Sequence, residues 1–140
     1  MVVLDTNHLR HFGGRSNVAQ ALQTRLKNSG PDLATTVVCV EEILEGWLIE
    51  IRRQAAQPHQ QISAYREFSR QVDVLARWTV LPWDAESADL FIKFRRNGIR
   101  IGSMDLKIAC IAISHDALLL TQNTVDFAKV PGLRHEDWLR

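Results

Sequence analysis

The chain of 140 residues carries 17 Lys and Arg against 16 Asp and Glu, which gives a formal net charge of +1 at pH 7. So small a charge excludes binding to nucleic acid through the field of the whole molecule, and such binding requires a local patch or a bound metal ion. The length fits one domain, residues 1–140, and no apolar run approaches the roughly 20 residues of a membrane span.

The cysteines and the N-terminus indicate the compartment. Cys39 and Cys110 stand in apolar surroundings without a CxxC partner, which predicts buried free thiols rather than a disulfide or a thiolate metal site. The apolar run at residues 1–4 ends at Asp5, so no signal peptide is predicted. We therefore expect a cytoplasmic protein without membrane attachment.

The first part of the chain alternates short apolar runs with helical patterns. Residues 2–4 predict a buried strand, followed by turn residues after Asp5 and a helix over 17–27 that Ser29–Gly30–Pro31 ends. Residues 33–38 are apolar and β-branched, which predicts a second strand. From residue 40 the pattern is helical. Its apolar stripe consists of Val40, Ile43, Leu44, Trp47, Leu48 and Ile51.

The second part continues this alternation. Helices are predicted over 61–78, from the N-cap Asp84 to Asn97–Gly98, and over 103–115, where apolar residues occur nearly all round the helix. Strands are predicted at 79–81, 118–120 and 133–138. Strands alternating with helices predict an α/β fold, a three-layer α/β/α sandwich with a central, mostly parallel sheet.

Acidic residues follow the predicted strands. Asp5 comes directly after the first strand, Asp105 lies in the first turn of the helix that Ser103 opens, and Asn123 and Asp126 follow residues 118–120. Each acid taken alone has an ordinary explanation as a turn or helix-capping residue. Ligands of open parallel sheets, however, bind beyond the carboxyl ends of the strands. The positions together therefore indicate a candidate site.

Glu42 is placed by the sequence in the first turn of the helix after the second strand, on the face opposite the apolar stripe, where a solvated glutamate is ordinary. Gly46 lies four residues further along the same face, although glycine costs about 1 kcal/mol relative to alanine inside a helix. This pairing indicates that something approaches the helix there. Converging carboxylates raise one another's pKa, a cost that a divalent cation removes. All-oxygen ligands favour Mg²⁺ or Mn²⁺ over Zn²⁺.

Four segments of the chain resemble a known family in their order and spacing. They are LDTNHL at 4–9, EEILEG at 41–46, IGSMDLKIA at 101–109, and LTQNTVDF at 120–127 followed by VPGL at 130–133. These segments resemble the signature of PIN domains across essentially the whole chain. Within that family the chain is most similar to the VapC-type toxins of bacterial type II toxin–antitoxin systems.

The resemblance implies a metal-dependent endoribonuclease that hydrolyses RNA phosphodiester bonds. It further implies a homodimer and a small cognate antitoxin that blocks the acidic groove. Asp5, Glu42 and Asp105 fall on the family's three metal-binding acids, for Mg²⁺ or Mn²⁺. Glu42 is preferred to Glu41 because it lies four residues before the glycine, as in the motif. Thr6 is expected to bond near the Asp5 carboxylate, with the next residue organising the turn.

The resemblance leaves the fourth acidic position open. Asn123 stands where many relatives have Asp, and Asp126 stands where others supply the acid, so the number of metal ions is also open. His8 is either a metal ligand, a proton donor or a structural residue. The candidate phosphate contacts are Arg95, Arg96 and Arg100.

Two other functions compete with the nuclease. One is a catalytically inert PIN-like module that binds protein or RNA, which the uncharged Asn123 leaves open. The other is an aspartyl phosphatase, because an apolar strand ending in Asp also positions a nucleophilic carboxylate. The phosphatase motif carries a second acid two residues further on, where this chain has Asn7.

Overall fold

A five-stranded parallel sheet forms the centre of the computed structural model, which describes residues 1–30 and 32–140. Its strands run in the order β3-β2-β1-β4-β5, and every neighbouring pair is parallel. The predicted α/β class is confirmed, with the sheet parallel throughout. The strands are β1 (Val2–Leu4), β2 (Leu33–Thr36), β3 (Val80–Leu81), β4 (Leu118–Leu120) and β5 (Arg134–Glu136).

Helices cover both faces of the sheet. Val3 points into one buried cluster, with residues of the two helices that follow β3, whereas Val2 and Leu4 point into a second cluster on the opposite face. The alternation follows from the period of two along a strand, and it yields the expected three layers. The helices are α1 (Thr6–Phe12), α2 (Asn17–Ser29), α3 (Val37–Arg53), α4 (Gln61–Leu75), α5 (Ala85–Arg96), α6 (Ser103–Ser114) and α7 (Thr124–Phe127).

The boundary between β2 and α3 differs from the prediction. The strand ends at Thr36, and Val37 and Val38 begin the helix instead of extending the strand. The Thr36 hydroxyl accepts a hydrogen bond from the Cys39 backbone N–H at 3.1 Å and so caps the first turn. This cap outweighs the β-branched character of the two valines.

Two short helices were absent from the prediction. The segment after Asp5 is α1 rather than a turn, because the Asp5 carboxylate caps the His8 backbone N–H at 2.9 Å. The other is the four-residue α7. In addition, α4 ends at Leu75, and the last strand is confined to Arg134–Glu136.

The end of α2 agrees with the predicted stop within the described residues. Gly30 adopts a left-handed conformation with φ 58°, and its N–H donates to the carbonyl groups of Leu26 and Lys27 at 3.2 and 3.3 Å. A residue with a Cβ is disfavoured in this conformation, which explains the glycine. Pro31, the last residue of the predicted stop, lies outside the described residues.

Both cysteines are buried and free, as expected. Burial raises the pKa of the Cys110 thiol to about 11, which keeps it protonated near neutral pH. Throughout residues 1–30 and 32–140, none of the helices combines the length and the apolar character that crossing a membrane demands.

Candidate active site

The predicted acids lie at the point where the strand order reverses. The chain runs outward from β1 through β2 to β3, and β4 then pairs with the other side of β1. Such a reversal opens a crevice beyond the carboxyl ends of the two central strands. A pocket of about 210 Å³ occupies this crevice. Its lining consists of Asp5, Thr6, Asn7, Arg10, Glu42, Asp105, Ile108 and Asn123.

Asp5 lines the pocket and is held in place by hydrogen bonds. It is 9% exposed, and its Oδ1 accepts hydrogen bonds from the His8 backbone N–H at 2.9 Å and from His8 Nδ1 at 3.2 Å. Its backbone N–H donates to the Leu120 carbonyl at 3.0 Å, which ties the residue to β4. One carboxylate therefore caps α1 and also presents charge to the pocket.

His8 is a structural residue and not a metal ligand. The ring is fully buried, with Nδ1 against Asp5 Oδ1 and Nε2 accepting the Trp138 backbone N–H at 3.2 Å. Nε2 also lies 3.6 Å from Asp137 Oδ1. Both ring nitrogens therefore contact protein groups, which supports a structural role over the roles of metal ligand and proton donor.

Glu42 lies in the second turn of α3, not in the first as expected, because the helix begins earlier. It is half-buried, whereas the adjacent Glu41 is exposed. Its Oε1 is buried and has no hydrogen-bond partner among the described residues. Burial raises the pKa of Glu42, and the negative charges of Asp105 and Asp5 raise it further.

Thr6 was expected to bond near the Asp5 carboxylate, but its hydroxyl forms no hydrogen bond there. Its Oγ1 is buried without a hydrogen-bond partner among the described residues, and the hydroxyl lies beside Glu42, whose pKa it lowers. Asn7, expected to organise a turn, lies exposed within α1. Two neighbouring buried oxygens at the pocket, Thr6 Oγ1 and Glu42 Oε1, therefore have no hydrogen bond of good geometry among the described residues.

The side-chain amide of Asn123 bridges the carboxylates of Asp105 and Asp126 through hydrogen bonds. Asn123 Nδ2 donates to Asp105 Oδ2 and to Asp126 Oδ2, both at 3.1 Å. Burial raises the pKa of Asp105, and the Asn123 hydrogen bond opposes the rise. The same amide lowers the pKa of Asp126. Asp126 does not line the pocket, and it also pairs with Lys129 at 3.4 Å.

The pocket has the donor set of a site for a hydrated hard cation. In the described part of the chain, no three Asp, Glu, His or Cys side chains lie close enough to enclose a metal ion by themselves. Mg²⁺ requires less, since it retains several waters and takes one or two carboxylates. The pocket offers Glu42 and Asp105 with raised pKa values, and a buried Glu42 oxygen without a hydrogen-bond partner in residues 1–30 and 32–140. These residues fit a divalent ion with its waters.

The arginines proposed from the sequence lie elsewhere. Arg95 donates to the Ile99 carbonyl at 2.8 Å and to Ser103 Oγ at 3.4 Å, and neither it, Arg96 nor Arg100 lines the pocket. The cation at the pocket is Arg10, which the sequence reasoning missed. Recognising α1 would have indicated it, because residues 6 and 10 are one helical turn apart.

Comparison with known proteins gives a family and a fold. The PIN domain family model matches residues 2–133. The chain is 27% identical over 111 residues to the tRNA(fMet)-specific endonuclease VapC of Salmonella typhimurium, covering 76% of this chain and 80% of that protein. It is 29% identical over 105 residues to the protein of the same name from Shigella flexneri, covering 72% and 75%.

Solved structures with this fold come from toxin–antitoxin complexes. VapBC-1 from nontypeable Haemophilus influenzae aligns over 100% of both chains with a TM-score of 0.71 and 24% identity. DNA-bound VapBC from Salmonella typhimurium aligns over 99% of both chains with a TM-score of 0.65 and 22% identity.

Proposed function

Because the chain belongs to the PIN domain family, we propose that it is a metal-dependent endoribonuclease and the toxin of a toxin–antitoxin pair. The relatives named as VapC endonucleases support the reaction class. The observation that carries the proposal is the pocket at the strand reversal, where Asp5, Glu42 and Asp105 line one space. Three carboxylates that share this lining with a single cation, Arg10, repel one another, and a divalent ion would remove that cost.

We assign Asp5, Glu42 and Asp105 to the metal, Mg²⁺ or Mn²⁺. When bound, such an ion lowers the pKa of a coordinated water and offsets charge on the phosphorane-like transition state. The protein residues supply position. His8 fixes the orientation of Asp5, and the Asn123 amide fixes that of Asp105.

In this proposal, Asn123 and Asp126 do not coordinate the metal ion but support the residues that do. Carboxylate oxygens are acceptors only, so the Asn123 group that faces them is its NH₂ donor, and its carbonyl is turned away from Asp105. Asp126 receives the second N–H of the same amide at 3.1 Å. The amide thus reduces the repulsion between two acids. The Thr6 hydroxyl lines the pocket and lacks a partner within the described residues, so it would donate to a substrate oxygen.

The proposed partners are an RNA substrate, a cognate antitoxin and a second copy of the chain. The antitoxin is supported by the fold shared with VapBC structures from Haemophilus influenzae and Salmonella typhimurium. A protein that cleaves cellular RNA requires restraint, and a segment covering the 210 Å³ pocket would provide it. The homodimer remains a prediction from the family resemblance.

Cleavage of bulk tRNA and of bulk ribosomal RNA by the purified protein tests the proposal. We expect new fragments with Mg²⁺ and none with EDTA. Asp105→Asn should reduce the rate at least about a hundredfold, because even partners outside the ligand shell cost about 10- to 100-fold. Asp73→Asn, an exposed residue of α4 outside the pocket, is the matched control and should leave the rate unchanged.

The same experiment separates the alternatives. Cleavage that survives both EDTA and Asp105→Asn refutes the metal mechanism. Absence of fragments in every arm favours an inert binding module. Release of inorganic phosphate without shortened RNA would indicate phosphatase chemistry.

A further inference from the structure

Arg10 is the cation of the carboxylate pocket. It is the only Lys or Arg in the pocket lining, and it forms no ion pair with any residue in 1–30 or 32–140. Its side chain lies on α1, one turn after Thr6, and is exposed. The guanidinium is near enough to the acids to lower the pKa of Glu42. An unpaired charge at this place is available to a ligand.

Arg10 also lines a second, larger groove. This groove, of about 640 Å³, lies between α3 and α4 and includes Gly46 and Trp47 in its lining. A Cβ placed on Gly46 would meet no atom within 4 Å, so the glycine is not required by packing inside the protein. Arg10 therefore stands at the junction of the acidic pocket and an open groove.

The acids of the groove are already neutralised. Glu50 pairs with Arg53 at 3.0 Å, and Glu67 pairs with Arg70 at 2.5 Å. Among the described residues, Arg10 is thus the cation without an ion pair where the two cavities meet. A net charge of +1 gives the molecule little attraction for RNA, and the pocket carboxylates repel phosphate.

We propose that Arg10 binds the RNA phosphate next to the scissile one, so that the adjoining nucleotide enters the groove over Gly46. This inference rests on the proposed ribonuclease function. The planar guanidinium donates two parallel hydrogen bonds to phosphate oxygens, which a lysine cannot reproduce. Arg10 is therefore a substrate-binding residue that sets the position of the strand relative to Asp5, Glu42 and Asp105.

Salt-dependent RNA binding tests the inference. A fluorescein-labelled single-stranded RNA of mixed sequence is titrated with Asp105→Asn protein, which prevents cleavage, at several KCl concentrations. Adding Arg10→Ala should raise Kd about tenfold and reduce the slope of log K against log salt by about 0.7, one phosphate contact on a single strand. Arg10→Lys should keep the slope and show an intermediate Kd. Arg15→Ala, which removes an exposed charge outside both cavities, should change neither.

Each outcome bears on the inference. An unchanged slope for Arg10→Ala, or an equal loss of slope for Arg15→Ala, overturns it. If the wild type cleaves RNA and Arg10→Ala binds RNA normally, only the role of Arg10 is refuted. If the wild type shows no metal-dependent cleavage, the proposed ribonuclease function itself fails.

Discussion

Metal-induced stabilisation should depend on Glu42 and not on Glu41. The two residues are adjacent on α3, but Glu42 lines the pocket and is half-buried, whereas Glu41 is exposed. Glu42→Gln and Glu41→Gln make the same chemical change one position apart. In EDTA, we expect Glu42→Gln to melt no lower than wild type, because burial and the neighbouring acids already raise the pKa of this carboxyl and disfavour its charge.

The size of the effect follows from mass action and chain length. At free Mn²⁺ about a hundred times its dissociation constant, binding stabilises the folded state by about 2.7 kcal/mol. A chain of 140 residues has an unfolding entropy of about 0.29 kcal/mol/K, so this stabilisation raises Tm by about 9 °C. The Glu42→Gln variant, lacking one charged oxygen ligand, should lose most of this shift, and Glu41→Gln should retain it.

Differential scanning fluorimetry with and without Mn²⁺ measures both variants beside wild type. Far-UV circular dichroism in EDTA controls for folding. The reasoning is refuted if the two variants show the same Mn²⁺ shift, or if Glu41→Gln loses it and Glu42→Gln does not.

Three further outcomes are expected. Gly46→Ala should raise the free energy of unfolding by up to about 1 kcal/mol in urea titrations. Gly46→Leu, whose side chain enters the groove, should slow RNA cleavage, and a cleavage rate equal to that of the wild type would contradict this. His8→Ala should lower the free energy of unfolding by about 2 to 4 kcal/mol, since it leaves a cavity and an unpaired Trp138 N–H; a loss below about 1 kcal/mol would count against the assigned contacts. In EDTA, the carboxyl of Glu42 binds more protons in the folded than in the unfolded state between its ordinary pKa of 4.5 and its raised pKa. The wild type should therefore lose stability relative to Glu42→Gln as the pH rises through that window, and not above it. A gain of stability over the same window in urea titrations would refute the raised pKa.

The sequence by itself determined the fold class and the candidate acids. Short apolar runs such as Val2–Leu4 and Leu118–Leu120 have few alternatives to buried parallel strands, and an acid directly after such a run lies at the carboxyl edge of the sheet. The all-round apolar pattern of α6 likewise required burial on most sides, and Asp105 in its first turn had to lie near that edge.

Tertiary structure decided how each polar group is used. Local propensity did not reveal α1, because this helix depends on a cap from Asp5. The sequence analysis had predicted turn residues after Asp5 instead. The role of His8 rests on a hydrogen bond from Trp138, 130 residues away in the chain, and no local pattern encodes such a contact. The position of Arg10 between two cavities depends on how α1 packs beside α3. Side-chain periodicity indicates which face of an element is buried, but only packing brings distant residues such as Arg10, Glu42 and Asp105 to one pocket.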